Sequence, residues 1–134
     1  MSYKNIIRSN TDLIVALRQQ IGETGAKRDE SEERWQQWVS ACSEFRARYS
    51  QLAFLGGVET ARERLRSGDS ASIDYALDFL ELRPFFFRSG YMYNDFMRVL
   101  RNCPMSDEQT QRYKAIRERY EQYRKQRHDS NASA

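Results

Sequence analysis

The sequence predicts an all-α domain of about six helices, packed as antiparallel hairpins in an α–α superhelix or an irregular bundle. Three observations predict it. Breakers are few, with six Gly and two Pro in 134 residues, so long segments run uninterrupted. Apolar residues recur at spacings of three and four, and no run alternates apolar with polar residues for long. Short clusters of Gly, Ser and Asp separate these segments and carry the chemistry of helix caps. The length suits one domain with a real core. We read residues 1–128 as that domain and 129–134 as a disordered polar tail.

Leu13, Ile14, Leu17 and Ile21 open the pattern, after a cap candidate at Asn10 or Thr11. Gly22 and Gly25 are expected to end this helix, because Gly takes the left-handed cap conformation without steric cost. Asp29 or Ser31 can cap the second helix, and Glu32 and Glu33 suit its N-terminal dipole. That helix, roughly 31–55, is the longest expected. Trp35, Trp38, Cys42, Phe45, Tyr49 and Leu52 share one stripe of it. The stripe reads as core-facing, with a partner-helix seam as the alternative. Gly56 and Gly57 stop the helix, and Val58, Ala61 and Leu65 make a short third one that Gly68 ends.

The stretch 71–101 organises the rest and holds five of the seven Phe. Ile73, Ala76, Leu77 and Leu80 form the buried face of its first helix, capped from residues 69–72. Pro84 disfavours helical geometry at Arg83 and ends it. The next helix starts either at Ser89, as a cap, or at Phe85, just after the proline. Met92, Phe96, Val99 and Leu100 point inward from it until Pro104. Ser106 and Gln109 have the spacing of a capping box. The last helix carries Tyr113, Ile116, Tyr120 and Tyr123 on one stripe.

Charge is unevenly spread. The formal net charge is +3, but residues 111–128 hold seven Lys/Arg against two Glu, about +5, leaving about −2 elsewhere. No segment has the roughly 20 apolar residues that span a bilayer, and residues 1–12 lack the apolar core of a secretory signal. A cytoplasmic protein without membrane contact is expected. Cys42 and Cys103 lack metal-like spacing, and the single His128 lies near the C-terminal end. There is no phosphate-cradling Gly-rich loop and no base beside Ser89 or either Cys. The sequence therefore reads as non-enzymatic, with no cofactor and no metal.

The order RLRSGD, ALDFLELRP, FFFRSGYM, FMRVLR resembles a pattern in small helical bacterial proteins of the HEAT-like repeat type. The resemblance covers about a third of the chain. It implies an α–α hairpin in a superhelical layer and a role as a binding scaffold. Some helical proteins of this size are cytoplasmic immunity proteins that neutralise toxins of competing bacteria. The expected function is accordingly a protein-binding module that occludes a secreted toxin domain.

The expected contact residues are Asp74, Asp78 and Glu81 on one helix, with Arg88 and Tyr91 at the corner after Pro84. Asp29, Glu30, Glu32, Glu33 and Asp69 are further acidic candidates for facing a basic partner. Arg88 could also serve structurally, holding a carboxylate or a helix end. The triple Phe 85–87 reads as core with one ring exposed. The alternative is a small nucleic-acid-binding or adaptor protein using Arg117, Arg124, Lys125 and Arg127 of the basic last helix.

Overall fold

A segment as apolar as SASIDYALDFLEL cannot present a solvated face, so it must lie at the centre of its domain. The computed structural model describes the backbone of residues 2–133 and the side chains of 2–129. In it this segment is α4 (Ser70–Leu82), surrounded by α1 (Lys4–Ala26), α3 (Ala61–Arg66), α5 (Ser89–Val99) and α6 (Asp107–Ser133). The remaining helix, α2 (Glu32–Ala53), pairs with α1 as a long hairpin. Two short 3₁₀ turns, Val58–Thr60 and Leu100–Asn102, lead into α3 and extend α5. The fold is all-α, with no strand among the described residues.

The caps of α2, α4 and α6 sit where the sequence places them, whereas Ser89 is the first residue of α5, with Arg88 at the cap position and no side-chain cap. Ser31 Oγ accepts from the Arg34 N–H at 3.1 Å. Ser106 and Gln109 form the reciprocal box, each side chain accepting from the other's backbone N–H at 3.1 and 3.0 Å. At α4, the Asp69 carboxylate accepts from the Ser72 N–H and hydroxyl, at 3.1 and 2.5 Å. The Ser72 hydroxyl and then its N–H hold the Asp69 carboxyl below its ordinary pKa. Its stabilising effect is therefore present above the unfolded value of about 3.9 and is lost as pH falls through the lower folded value. Asp69→Asn keeps the cap but removes the titration. The urea midpoint of the wild type should exceed that of the variant near neutral pH and converge on it in acid. A gap constant from pH 6 to pH 2 would contradict this.

Three boundaries differ from the sequence expectation. α1 begins at Lys4, not after Asn10 or Thr11, because Tyr3 donates its N–H to Asp78 Oδ2 at 2.7 Å and starts the helix on the core. Thr11 instead returns its hydroxyl to the Ile7 carbonyl at 2.7 Å, an interior use. Gly22 and Gly25 do not stop the helix, which runs to Ala26. A Cβ at Gly25 would lie 3.3 Å from the Trp38 indole, so this glycine serves the close approach of α2. The limit drawn at His128 falls inside α6. Of the residues read as tail, Ala134 lies outside the described residues.

The α2 stripe divides in two. Phe45 is buried, and Tyr49 and Leu52 pack on the core. Trp35 is 40% exposed and lies on Trp38, ring centroids 5.0 Å apart. No residue between 15 and 40 is buried; Leu17 and Ile21 still pack against the core, and the hairpin beyond them extends past it. At its inner end Gly56 and Gly57 take positive φ and turn the chain. Arg64 ties that turn down, donating to the carbonyls of Leu55 and Gly57 and, at 3.2 Å, to Ser72 Oγ.

Candidate functional site

Pro84 ends α4 by denying Arg83 the helical region. Arg83 takes a left-handed conformation, φ 52°, and Arg88 another, φ 67°. Non-glycine residues rarely adopt this region, and two within six residues mark a backbone held by its surroundings. Phe86 turns inward against Phe79 and Tyr49. Phe87 lies on Phe45 and Tyr49, under the Arg18 guanidinium at 4.4 Å. The Tyr49 hydroxyl donates to the Phe87 carbonyl at 2.7 Å, and Ser89 Oγ accepts from the Phe86 N–H at 3.0 Å. Arg83 is held between the rings of Tyr93 and Tyr123, at 4.6 and 4.9 Å. Burial raises the pKa of Tyr49 and of Tyr93, while Arg88 and Arg83 respectively oppose the rise.

What this fixed corner displays is aromatic. Phe85 is 91% exposed and Tyr91 78% exposed. Both line a groove of about 590 Å³ together with Arg83, Arg88 and Asn94. Arg88 and Tyr91, expected as partner contacts, are therefore brought together at one surface, and Phe85 joins them. Nothing in the run 85–87 singles out Phe85 in the sequence; its exposure follows from Phe86 and Phe87 packing on Phe79, Tyr49 and Phe45.

The acidic trio lies elsewhere and is engaged within the fold. Asp78 is 3% exposed and accepts from the Tyr3 N–H and, at 2.7 Å, from Arg112 Nη2. Glu81 accepts from Arg112 and faces Lys4 Nζ at 3.5 Å. Asp74 accepts from Gln109 Nε2 at 2.8 Å. Burial alone would lower the pKa of Arg112, but hydrogen bonds to Glu81 and Asp78 lift it above its usual value. These three carboxylates thus join α4 to α1 and α6. Asp29, Glu30, Glu32 and Glu33 sit exposed at the hairpin tip, while Asp69 caps α4.

On α6, Arg117 and Arg124 line a second groove, also of about 590 Å³, opposite Arg98 and Arg101. Lys125 and Arg127 are exposed on the same helix but outside that groove. Sequence reasoning missed Arg98 and Arg101, although their spacing of three places them on one helical face. Among the described residues no group of three or more His, Cys, Asp or Glu is placed to hold a metal ion. Nor is any described helix long and apolar enough to cross a membrane. The chain matches no protein-family model, no curated protein and no solved structure.

Proposed function

We propose that this chain is a non-enzymatic, cytoplasmic protein-binding module that engages a partner protein through the corner at residues 83–91. The observation that carries this reading is Phe85, an almost fully exposed ring beside Phe86, which is buried in the core, and Phe87, which is 36% exposed and packs on Phe45. Burying such a ring in a partner pocket yields about 1.5–3 kcal/mol. Little conformational entropy is lost on binding, because the corner is already ordered. Tyr91 and Arg88 beside it are of the residue types that dominate binding energy at protein interfaces. Immunity against a toxin is the specific form, implied by the resemblance of the segment around Pro84. The mechanism would be occlusion of the toxin's active site.

The test is affinity capture from the native host with the wild-type chain and with Phe85→Ala/Tyr91→Ala. The wild type should retain a partner that the double variant loses, with Kd weakened about 30-fold or more for a ring worth at least 2 kcal/mol. Both substitutions are on exposed side chains, so thermal stability should hardly change. If the captured protein is a toxin, the wild-type chain should abolish its activity and the variant should not. Equal binding by the two proteins would reject the corner as the contact surface.

A further inference from the structure

We propose that the groove between α5 and α6 binds the phosphodiester backbone of single-stranded nucleic acid, a second binding surface that adjoins the aromatic corner at Asn94. Four arginines line it: Arg98 and Arg101 from α5 and the turn after it, Arg117 and Arg124 from α6. Glu121 is the one carboxylate in the lining, so the groove carries +3, as much as the formal net charge of the whole chain. That charge is concentrated in a concave wall, where low-dielectric flanks focus the field on an incoming anion.

The ion pairs present there are loose. Arg117 lies 3.6 Å from Glu121, and Arg98 lies 3.6 Å from Asp95 while remaining 77% exposed. Asp95 already accepts from Nε and Nη2 of Arg62, at 2.9 and 2.7 Å. Arg98 is therefore a surplus cation, and exposed pairs of this length contribute little. Exchanging them for phosphate oxygens costs little and releases condensed counterions. All four cations are arginine, whose planar fork bonds phosphate through two nitrogens. The half-buried ring of Tyr120 forms part of the lining, with the Arg124 guanidinium 5.9 Å over it. Cations along a groove with an aromatic ring in its wall suit one strand whose phosphates follow the groove. A duplex is read by an element that projects into its own groove, and a concavity offers none.

The experiment measures fluorescence anisotropy of a labelled 20-nucleotide single strand against the full chain from low to moderate salt. Three variants are compared. Arg98→Gln/Arg101→Gln should weaken binding and flatten the log–log salt slope by about 1.4, the value for two phosphate contacts on a single strand. Glu121→Gln should tighten binding, because it removes the only acid in the lining. Lys27→Gln/Arg46→Gln removes the same charge from exposed positions on the α1–α2 hairpin and should leave the slope unchanged. Phe85→Ala should also leave it unchanged, which separates this site from the corner. Circular dichroism melts establish that each variant is folded, as expected for exposed side chains. No binding at low salt would overturn the proposal, as would equal losses from the groove and hairpin variants. Tighter binding of duplex of the same length would overturn the single-strand assignment. Equal competition by poly-glutamate would make the groove a site for acidic protein instead, and would also overturn it.

Discussion

Replacing Arg112 by Ala is expected to destabilise the domain by about 3 kcal/mol, and to lower the melting temperature by roughly 10 °C for a chain of this size. The reason is the carboxylate left behind. Asp78 sits on the central helix at 3% exposure with two donors, Arg112 and the Tyr3 N–H. Without the guanidinium, a charge in a nearly dry position keeps one neutral hydrogen bond. Removing one member of a buried pair is costly, whereas removing the whole pair often is not. The informative comparison is therefore the same Arg112→Ala substitution in an Asp78→Asn/Glu81→Gln background, where it should cost less than about 1 kcal/mol. A coupling of about 2 kcal/mol between the sites would locate the energy in the ion cluster and not in packing of the arginine stem. A loss under about 1 kcal/mol from Arg112→Ala alone would mean that the cluster is solvated like an exposed ion pair.

The partners of this cluster are invisible to local sequence patterns. Asp74, Asp78 and Glu81 share adjoining faces of a helix, and within the helix such residues look solvated. Their partners come from positions 31 or more residues away in sequence, which no local periodicity records. One signal was present. A carboxylate in the middle of a segment as apolar as ASIDYALDFLEL must face water or a cation, and the apolar residues on every side favoured the cation. Local chemistry, by contrast, was legible: the Ser31 cap, the Ser106–Gln109 box, the Gly56–Gly57 turn and the Pro84 corner depend on residues a few positions apart. Gly25 failed as a stop signal because glycine serves two purposes. It ends helices, and it also lets another helix come near, and the Trp38 ring that uses it lies across the hairpin.

The candidate surfaces divide the same way. The corner was visible in its odd composition, but which phenylalanine it exposes depends on what Phe86 and Phe87 find to pack against. The arginine groove needs α5 and the turn after it beside α6, and each side contributes only two of its four cations. The basic character of the last helix was legible alone; the wall facing it was not. Both surfaces depend on where α6 sits, since Tyr123 holds one side of Arg83 and Tyr113 donates its hydroxyl to the Met97 carbonyl. Arg112 lies on that same helix, so loosening it should disturb the groove before the corner.

Phe54→Ala should destabilise the domain by about 3–5 kcal/mol, the range for a fully buried aromatic ring. Phe54 is 0% exposed and ends α2 in an extended conformation that turns its ring into the core. There it meets Tyr75 of α4 and Phe96 of α5, with centroids 4.8 and 5.1 Å away. The Arg64 guanidinium covers it at 5.4 Å while bonding the carbonyls of Leu55 and Gly57. The ring therefore joins the long hairpin to the central helix, and its loss leaves a cavity beneath the turn that Arg64 closes. Phe54→Leu refills most of that volume and should recover more than half of the loss. The control is the same substitution at Phe85, where the exposed ring predicts a change within about 0.5 kcal/mol. Urea unfolding of the three variants reads the difference directly. A small effect at residue 54 would mean that α2 ends without a core contact and that the hairpin is held by α1 alone. A large effect at residue 85 would mean that its ring is buried, and the corner would lose the exposed aromatic on which partner binding rests.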